Sequence, residues 1–291
     1  MSPEPKLSIV VVNFNAVDFL RSCIHSIHRG IDVPYEICVV DNASKDKSLE
    51  YLKKECPEVL VVGNTENRGF AAAINQGIAA TKAPFVLWLN PDTEILEGSF
   101  LKTLKLMEED PHLGILGLQI LNPDRSIQLS CRSFPSYETA FFNRYSLMTR
   151  LFPQNPLSRK YLKTGDDHSR ISPTDWVSGA CLLHKRSMID SLGGLDERFF
   201  MYCEDVDFCK RAQSAGWKVL YDPDVKILHH IAGSSRQVPQ KMIFARHRSM
   251  WLYYAKNFSR NFIKDFIVAS VITFRCIFLS FLHGFKSVCG K

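Results

Sequence analysis

The chain opens its patterned part with LSIVVVNFN (residues 7–15), an unbroken apolar run closed by asparagines. Runs of this kind predict parallel strands buried on both faces and followed by loops. YEICVVDNAS, VLVVGN (59–64) and FVLWLNPD (85–92) repeat the plan. Between them, DFLRSCIHSIHRG has helical spacing and stops at Gly30, and KDKSLEYLKKE is a second helix with Ser44 as its N-cap. Gly69 opens a small-residue helix that ends near Lys82. This alternation predicts an α/β fold with a doubly wound, mostly parallel sheet flanked by helices and right-handed crossovers. Ligands of such sheets bind beyond the C-terminal strand ends, where the strand order reverses. Asn13, Asp41, Asn67 and Asn90 to Asp92 fall at those ends.

The pattern then loosens. After a helix around 97–109, residues 115–175 contain five prolines, with short strands in GILGLQIL and SIQLSCRS around a turn at Asn122-Pro123-Asp124 and a mobile loop near 153–173. Order returns with a strand in DWVSGACLLHK, a helix begun by Lys185 or Arg186, a turn at Gly193-Gly194, and a helix ending at Gly216. WKVLYDPDVKILHHIAGSS adds a last strand and a His-bearing loop. From residue 242 the pattern is helical. Phe262 to Phe285 is strongly apolar but broken by Lys264, Asp265 and Arg275, leaving uncharged stretches at 266–274 and 276–285. Each is short of the roughly 20 residues that span a bilayer. The expectation is an amphipathic tail over 256–291, lying on an anionic membrane surface beside a globular domain over 1–255. The competing partner for that helix is the core or a second copy of the chain, a homodimer.

Composition narrows the function classes. With 291 residues, 46% hydrophobic and 23% charged, the chain has ample core. Of its net +6 charge, +5 lies from Lys256 onward, so the body is nearly neutral and does not carry the basic face of a nucleic-acid binder. Nine cysteines with no CxxC pair, and no basic segment ahead of the first apolar run, point to reduced thiols in the cytoplasm, peripheral to the inner membrane face. No GxGxxG follows the first strand and no GxxxxGK[ST] occurs, which demotes dehydrogenases and P-loop enzymes.

The densest chemistry is FFMYCEDVDF (199–208), where Glu204, Asp205 and Asp207 lie close together. Glu204 and Asp207 share a helical face while Asp205 points elsewhere. Crowded carboxylates raise one another's pKa and suit general-base work or binding of hydroxylated ligands. Arg211 stands at i+4 from Asp207 and can brace it.

LSIVVVNFN, VVDNAS, NRGFAAAINQG, LNPDT, GGLDERFFMYCEDVDFCKRA and a late HH-xx-GSS, in this order over about 7–250, resemble family-2 glycosyltransferases of the GT-A fold, and among them the rhamnosyltransferase-like members. The resemblance implies an inverting, metal-dependent transfer of a sugar, foremost L-rhamnose from dTDP-rhamnose, to a lipid-linked or growing cell-surface glycan. It implies that Asp41 holds the donor nucleotide with Asn13 and Asn42 beside it, and that Arg68, Gly69 and Asn75 line the nucleotide. Asn90-Pro91-Asp92 occupies the place of the metal-binding acidic motif, with Asn90 where the family has an acid and Asp92 as principal ligand for Mg2+ or Mn2+. Asp205 matches the catalytic base. The resemblance makes His229 a candidate further metal ligand, with His230 the competing assignment; Ser234, Ser235 and Arg236 are either a lid over the diphosphate or a solvated loop. Trp176 and Gly179 shape the acceptor pocket, and Asp196 and Glu204 bind acceptor hydroxyls. Alternatives are a UDP-sugar-dependent hexosyltransferase and a non-catalytic nucleotide-sugar-binding scaffold. A nucleotidyltransferase needs a glycine-rich basic loop after the first strand, and VNFNAVDF has none.

Overall fold

A computed structural model describes residues 3–136, 151, 155–230 and 239–289. The first half alternates β1 (Leu7–Asn13), α1 (Val17–Gly30), β2 (Tyr35–Asp41), α2 (Ser48–Glu55), β3 (Leu60–Gly63), α3 (Phe70–Ala80) and β4 (Phe85–Leu89). These strands are parallel and lie in the order β3-β2-β1-β4. The chain steps outward from β1 to β3, then returns to the far side of β1 as β4. That reversal opens a crevice at the C-terminal strand ends. Register sets Asn13 beside Asp41 and Asp41 beside Gly63 along this edge.

Both faces of the sheet are covered, which explains the unbroken apolar strands. Leu7, Ile9 and Val11 join one core with Leu20, Ile24 and Ile27 of α1, while Val10 and Val12 join the other with Ala71 and Ile74 of α3. A Cβ on Gly77 would run into the Val10 side chain, so a glycine there lets α3 lie close against the sheet.

The second half continues with β5 (Thr93–Glu97), α4 (Phe100–Glu109), β6 (Leu113–Leu121), β7 (Cys131–Arg132), α5 (Pro156–Leu162), β8 (Ser172–Pro173), β9 (Trp176–Val177) and β10 (Cys181–Lys185). It ends with α6 (Arg186–Leu192), α7 (Glu204–Ser214), β11 (Lys218–His229), α8 (Pro239–Asn257) and α9 (Phe262–Cys289). The sheet extends from β4 as β10-β6-β11-β5, with β8 on β11; β7 and β9 form a separate small ladder. Antiparallel β10 next to β4 makes the whole mixed, though parallel through its first half.

Several expectations change. Ser44 does not cap α2; its hydroxyl accepts from the Asn13 side chain at 3.1 Å and from Asn15 N at 2.9 Å, tying two loops at the ligand edge. TEILE forms β5, because β11 supplies its ladder from far along the chain. SIQLSCRS pairs only at Ile127 and at β7. The 153–173 stretch contains α5, capped by Asn155, whose side chain accepts from Ser158 N. His229 ends a strand and is not in a loop. Residues 234–236 lie outside the described residues.

The tail also differs. The division at residue 255 falls inside α8, whose Tyr253 and Tyr254 are buried. The charges do not break α9, and its Phe262–Gly284 part, 23 residues with none of its most apolar window buried, is long and apolar enough to cross a membrane. At 1.5 Å per residue that part is about 34 Å long.

Among the contacts between the two halves, one is set by a glycine. Gly69 has φ +87°, and a Cβ there would collide with the Phe200 carbonyl, which accepts from Phe70 N at 2.7 Å. Gly69→Ala therefore meets both a left-handed backbone and a backbone collision. The expected result is a loss of more than about 1 kcal/mol of stability, read by urea titration. A neutral outcome would show that this junction is soft.

Candidate active site

The ligand edge starts with polar groups that hold one another. Asn13 and Asp41 are fully buried; Asn13 Nδ2 donates to Asp41 Oδ2 at 2.9 Å, and Ser44 N donates to Asp41 Oδ1 at 2.8 Å. Asn13 Oδ1 is buried with no hydrogen-bond partner. Asn42 donates to Gly69 O at 3.0 Å and accepts from Asn64, whose amide pairs reciprocally with Gln76. Asp41 and Asn42 thus fix the shape of this edge. Exposed Arg68 has no hydrogen bond or ion pair among the described residues and is available to a ligand.

Asn75 departs from its expected place. Its amide donates to Leu195 O and Glu197 Oε1 and accepts from Leu195 N, so both of its ends brace the 194–197 turn instead of lining a nucleotide.

Asp92 follows β4 directly and meets residues far away in sequence. Thr93 pairs with His229 across β5 and β11, and His230 N donates to Asp92 O at 2.9 Å. This register brings His229 Nε2 to 3.4 Å from Asp92 Oδ1. His230 turns the other way, to Glu94 at 2.9 Å. The carbonyl of Asn90 is used by the turn, accepting from Thr93 N and Oγ1, while its side-chain amide makes no hydrogen bond to described residues.

Glycosyltransferases of the fold expected above imply a divalent ion, and the donor set fits one. Two ligands about 2.1 Å from an octahedral ion and at right angles lie about 3.0 Å apart, near the Asp92–His229 spacing. No cluster of three or more His, Cys, Asp or Glu able to hold a metal occurs among the described residues, so further ligands would come from substrate phosphate and water.

The third component is Asp205, at the start of α7. Asn90 N donates to Ala180 O at 2.9 Å, and the adjacent Gly179 donates its N–H to Asp205 Oδ2 at 2.8 Å. Asp205 therefore stands at the same edge as the Asn90–Asp92 turn. Its other oxygen accepts from Val206 N at 2.8 Å. Burial raises the Asp205 pKa, against those two N–H groups and the Arg132 charge. Glu204, 6% exposed and with Oε2 unpartnered, is pushed well above the ordinary range by burial and then by the Asp205 charge. The two adjacent carboxyls sit in unlike settings: Asp205 accepts from two N–H groups that favour its ionised form, whereas Glu204 Oε2 has no partner among the described residues.

The approach to Asp205 is strained and clamped. Tyr202 and Cys203 are consecutive left-handed residues (φ 71° and 66°), each costing about 1–3 kcal/mol. α8 holds them: Ser249 Oγ donates to Met201 O at 2.8 Å, and Arg246 lies over the Tyr202 ring at 4.6 Å. Asp207 is braced by Arg211 at 3.0 Å, as its spacing predicted, and also by Lys256 at 2.7 Å. Lys256 also reaches Asp196 at 3.0 Å. Asp196 does not face an acceptor: Arg198 first, then Lys256, hold its carboxyl far below the usual range and occupy it. Trp176 is likewise no open platform, being 5% exposed, bonded through Nε1 to Ser133 O, and lying under Arg132 at 4.9 Å. Arg132, Gln128 and Lys256 escaped the sequence reading because lone polar residues carry no periodic signal. Lys256 was counted with the tail's charge.

The fold and this edge together define a GT-A-type glycosyltransferase. The model of the family described as glycosyl transferase family 2 matches residues 8–165. The chain is 30% identical over 264 residues to the N-acetylglucosaminyl-diphospho-decaprenol L-rhamnosyltransferase of Mycobacterium tuberculosis, covering 87% of this chain and 85% of that one. It is 25% identical over 270 residues to the rhamnosyltransferase WbbL of Escherichia coli, covering 87% and 96%. Among solved structures, GalNAc-T7 with UDP, GalNAc and Mn2+ superposes with a TM-score of 0.57 at 15% identity, over 78% of this chain and 44% of that one. The mannosyltransferase PcManGT of Pyrobaculum calidifontis, with GDP-Man and Mn2+, gives 0.56 at 18% identity, over 89% and 65%. The chain belongs to glycosyl transferase family 2, is rhamnosyltransferase-like, and is an enzyme of that class.

The electrostatics predict a pH profile. A base works only when ionised, so kcat/KM should fall with acid through a pKa above the ordinary aspartate value of about 3.9. Arg132 favours the ionised form, so Arg132→Gln should move this acid limb to higher pH, by about one unit at most. Arg132→Lys should hold it in place. A limb that moves to lower pH in Arg132→Gln would separate Arg132 from Asp205.

Proposed function

We propose that the protein is an inverting glycosyltransferase that moves L-rhamnose from dTDP-rhamnose to a lipid-linked glycan at the cytoplasmic membrane face. The observation that carries the chemistry is the Gly179–Asp205 hydrogen bond, one residue from the Ala180–Asn90 pairing. It supports a base poised beside the donor diphosphate. Asp205 takes the proton of an acceptor hydroxyl as that oxygen forms its bond to the anomeric carbon. The bond from that carbon to the nucleoside diphosphate breaks on the opposite face, and configuration inverts. Fixed dipoles hold Asp205 in place, so little reorganisation accompanies the proton transfer. Asp41, Asn42 and Asn13 shape the nucleotide edge, and Arg68 offers a free cation to it.

Asp92 and His229 would hold Mg2+ or Mn2+. When bound, the ion offsets the negative charge that builds on the leaving phosphate. The rhamnosyl group is supported by both relatives, and the lipid-linked acceptor by the Mycobacterium tuberculosis enzyme alone, an N-acetylglucosaminyl-diphospho-decaprenol L-rhamnosyltransferase. A UDP-linked hexose is the alternative donor, since neither the base nor the metal edge reads the sugar.

The test uses purified full-length protein with a panel of nucleotide sugars and Mn2+. The expected donor raises Tm, and wild type transfers the sugar. Asp205→Asn should lower transfer by about 10²- to 10⁴-fold while donor binding stays within a few-fold. Substantial residual turnover in that variant would remove Asp205 from the mechanism, and stabilisation by UDP-sugars alone would replace the donor.

α9 supports the membrane reading. Ile263, Phe266, Ile267, Phe274, Phe278 and Phe281 are exposed, whereas Arg275 turns back toward Met250 of α8. An outward apolar face with its mid-helix charge turned inward suits a helix lying in the interface. Removing 261–291, which spares Lys256, should release the protein from anionic vesicles while leaving transfer to a soluble acceptor within a few-fold. Retained vesicle binding would reject the helix as the anchor, and a wild-type dimer lost on truncation would assign it to subunit contact.

A further inference from the structure

We propose that Gln128 is a positioning residue for the metal edge, fixing His229 in the tautomer that leaves Nε2 bare toward Asp92. The inference rests on the metal reading above and adds a residue that does not itself touch the ion. Gln128 is 7% exposed and His229 9% exposed, and Gln128 Oε1 lies 2.8 Å from His229 Nδ1.

The assignment follows from a directed hydrogen-bond chain. Ser126 Oγ lies 2.5 Å from Asp124 Oδ1, and a carboxylate only accepts, so the hydroxyl proton goes there. Ser126 Oγ then accepts from Asn122 Nδ2 at 2.9 Å, which turns Asn122 Oδ1 toward Gln128. Gln128 Nε2 donates to that oxygen at 3.0 Å, which leaves Oε1 for the imidazole. An acceptor facing Nδ1 places the ring proton on Nδ1. The other nitrogen of the neutral ring is then a lone pair, 3.4 Å from the Asp92 carboxylate oxygen. Two acceptors face each other there, an arrangement that a cation between them relieves. Flipping Gln128 would set two oxygens against each other at Asn122, which is what fixes its orientation.

Local backbone holds the chain. Asn122 N donates to Ser126 O, Arg125 N to Asn122 O, and Gln128 N to Ile120 O, each at 2.8 Å. The turn after β6 therefore presents Gln128 from the strand that neighbours β11. Metal-bound histidines whose second nitrogen loses its partner lose about 10- to 100-fold in metal affinity.

The test reads His229 directly in full-length protein labelled with 15N-histidine, at about pH 8, where an ordinary histidine is neutral. Wild type and Gln128→Glu, which keeps an acceptor, should show the Nδ1–H tautomer; Gln128→Met should shift His229 toward Nε2–H, donated to Asp92. Titration with Mn2+ in the presence of dTDP, followed by electron paramagnetic resonance, should show about 10-fold weaker binding in Gln128→Met and near-wild-type binding in Gln128→Glu. Asn122→Ala, in the turn, is a second variant should Gln128→Met fail to fold. It frees the amide to flip and should erode the Nδ1–H preference. An Nε2–H tautomer in wild type, or wild-type tautomer and affinity in the variants, overturns the proposal. A wild-type protein that binds no Mn2+ with dTDP overturns the metal reading along with it, whereas wild-type binding with indifferent variants overturns the role of Gln128 alone.

Discussion

The whole arrangement depends on two backbone hydrogen bonds one residue apart. Ala180 O receives Asn90 N at the end of β4, and Gly179 N holds Asp205 Oδ2. The first lies just past the last pair of the β4–β10 ladder, Leu89 with Cys181. The second fastens a carboxylate from α7 to that sheet. Because the donor of one bond and the acceptor of the other lie on adjacent backbone units, the turn after β4 and the Asp205 carboxylate are tied to one edge. A Cβ added at Gly179 would make only ordinary van der Waals contact with Asp205, so it is the N–H of this residue, not its lack of a side chain, that holds the carboxylate.

Around this tie the protein spends stability on position. The left-handed pair Tyr202–Cys203 is unfavourable in isolation, and Glu204 is buried beside a second carboxyl. Both persist because α8 grips the preceding loop and because Arg211 and Lys256 neutralise buried Asp207. Removing one partner of such a buried pair costs about 3–5 kcal/mol, far more than an exposed ion pair contributes. The helix that leads to the apolar tail thus also holds the loop before Asp205, so that loop and the tail are joined through α8.

The polar strand ends divide into two kinds. Asn42, Asn64, Asn75 and Gln76 spend their amides on one another and on loop backbone, giving the edge its shape. Asn13 Oδ1, the Asn90 amide and Arg68 keep capacity in reserve. Groups of the first kind make the second kind useful, since a binding atom held by satisfied neighbours loses little freedom when a ligand arrives.

The repeated apolar runs, each closed by Asn or Asp, determined by themselves the parallel half of the sheet and the location of its ligand edge. Burial on both faces leaves a period-free signature, and strand-end polarity marks the crevice. Spacing alone also gave the Asp207–Arg211 brace, because i and i+4 meet on any helix. The pairing of β5 with β11, which brings Asp92 to His229, the engagement of Asn75 by Leu195 and of Asp196 by Lys256, and the burial of Trp176 were decided only in three dimensions. Each depends on a partner distant along the chain, and neither composition nor period encodes which distant polar group will be met. The same holds for Gln128 and Lys256, single residues whose roles come from what the folded chain sets against them.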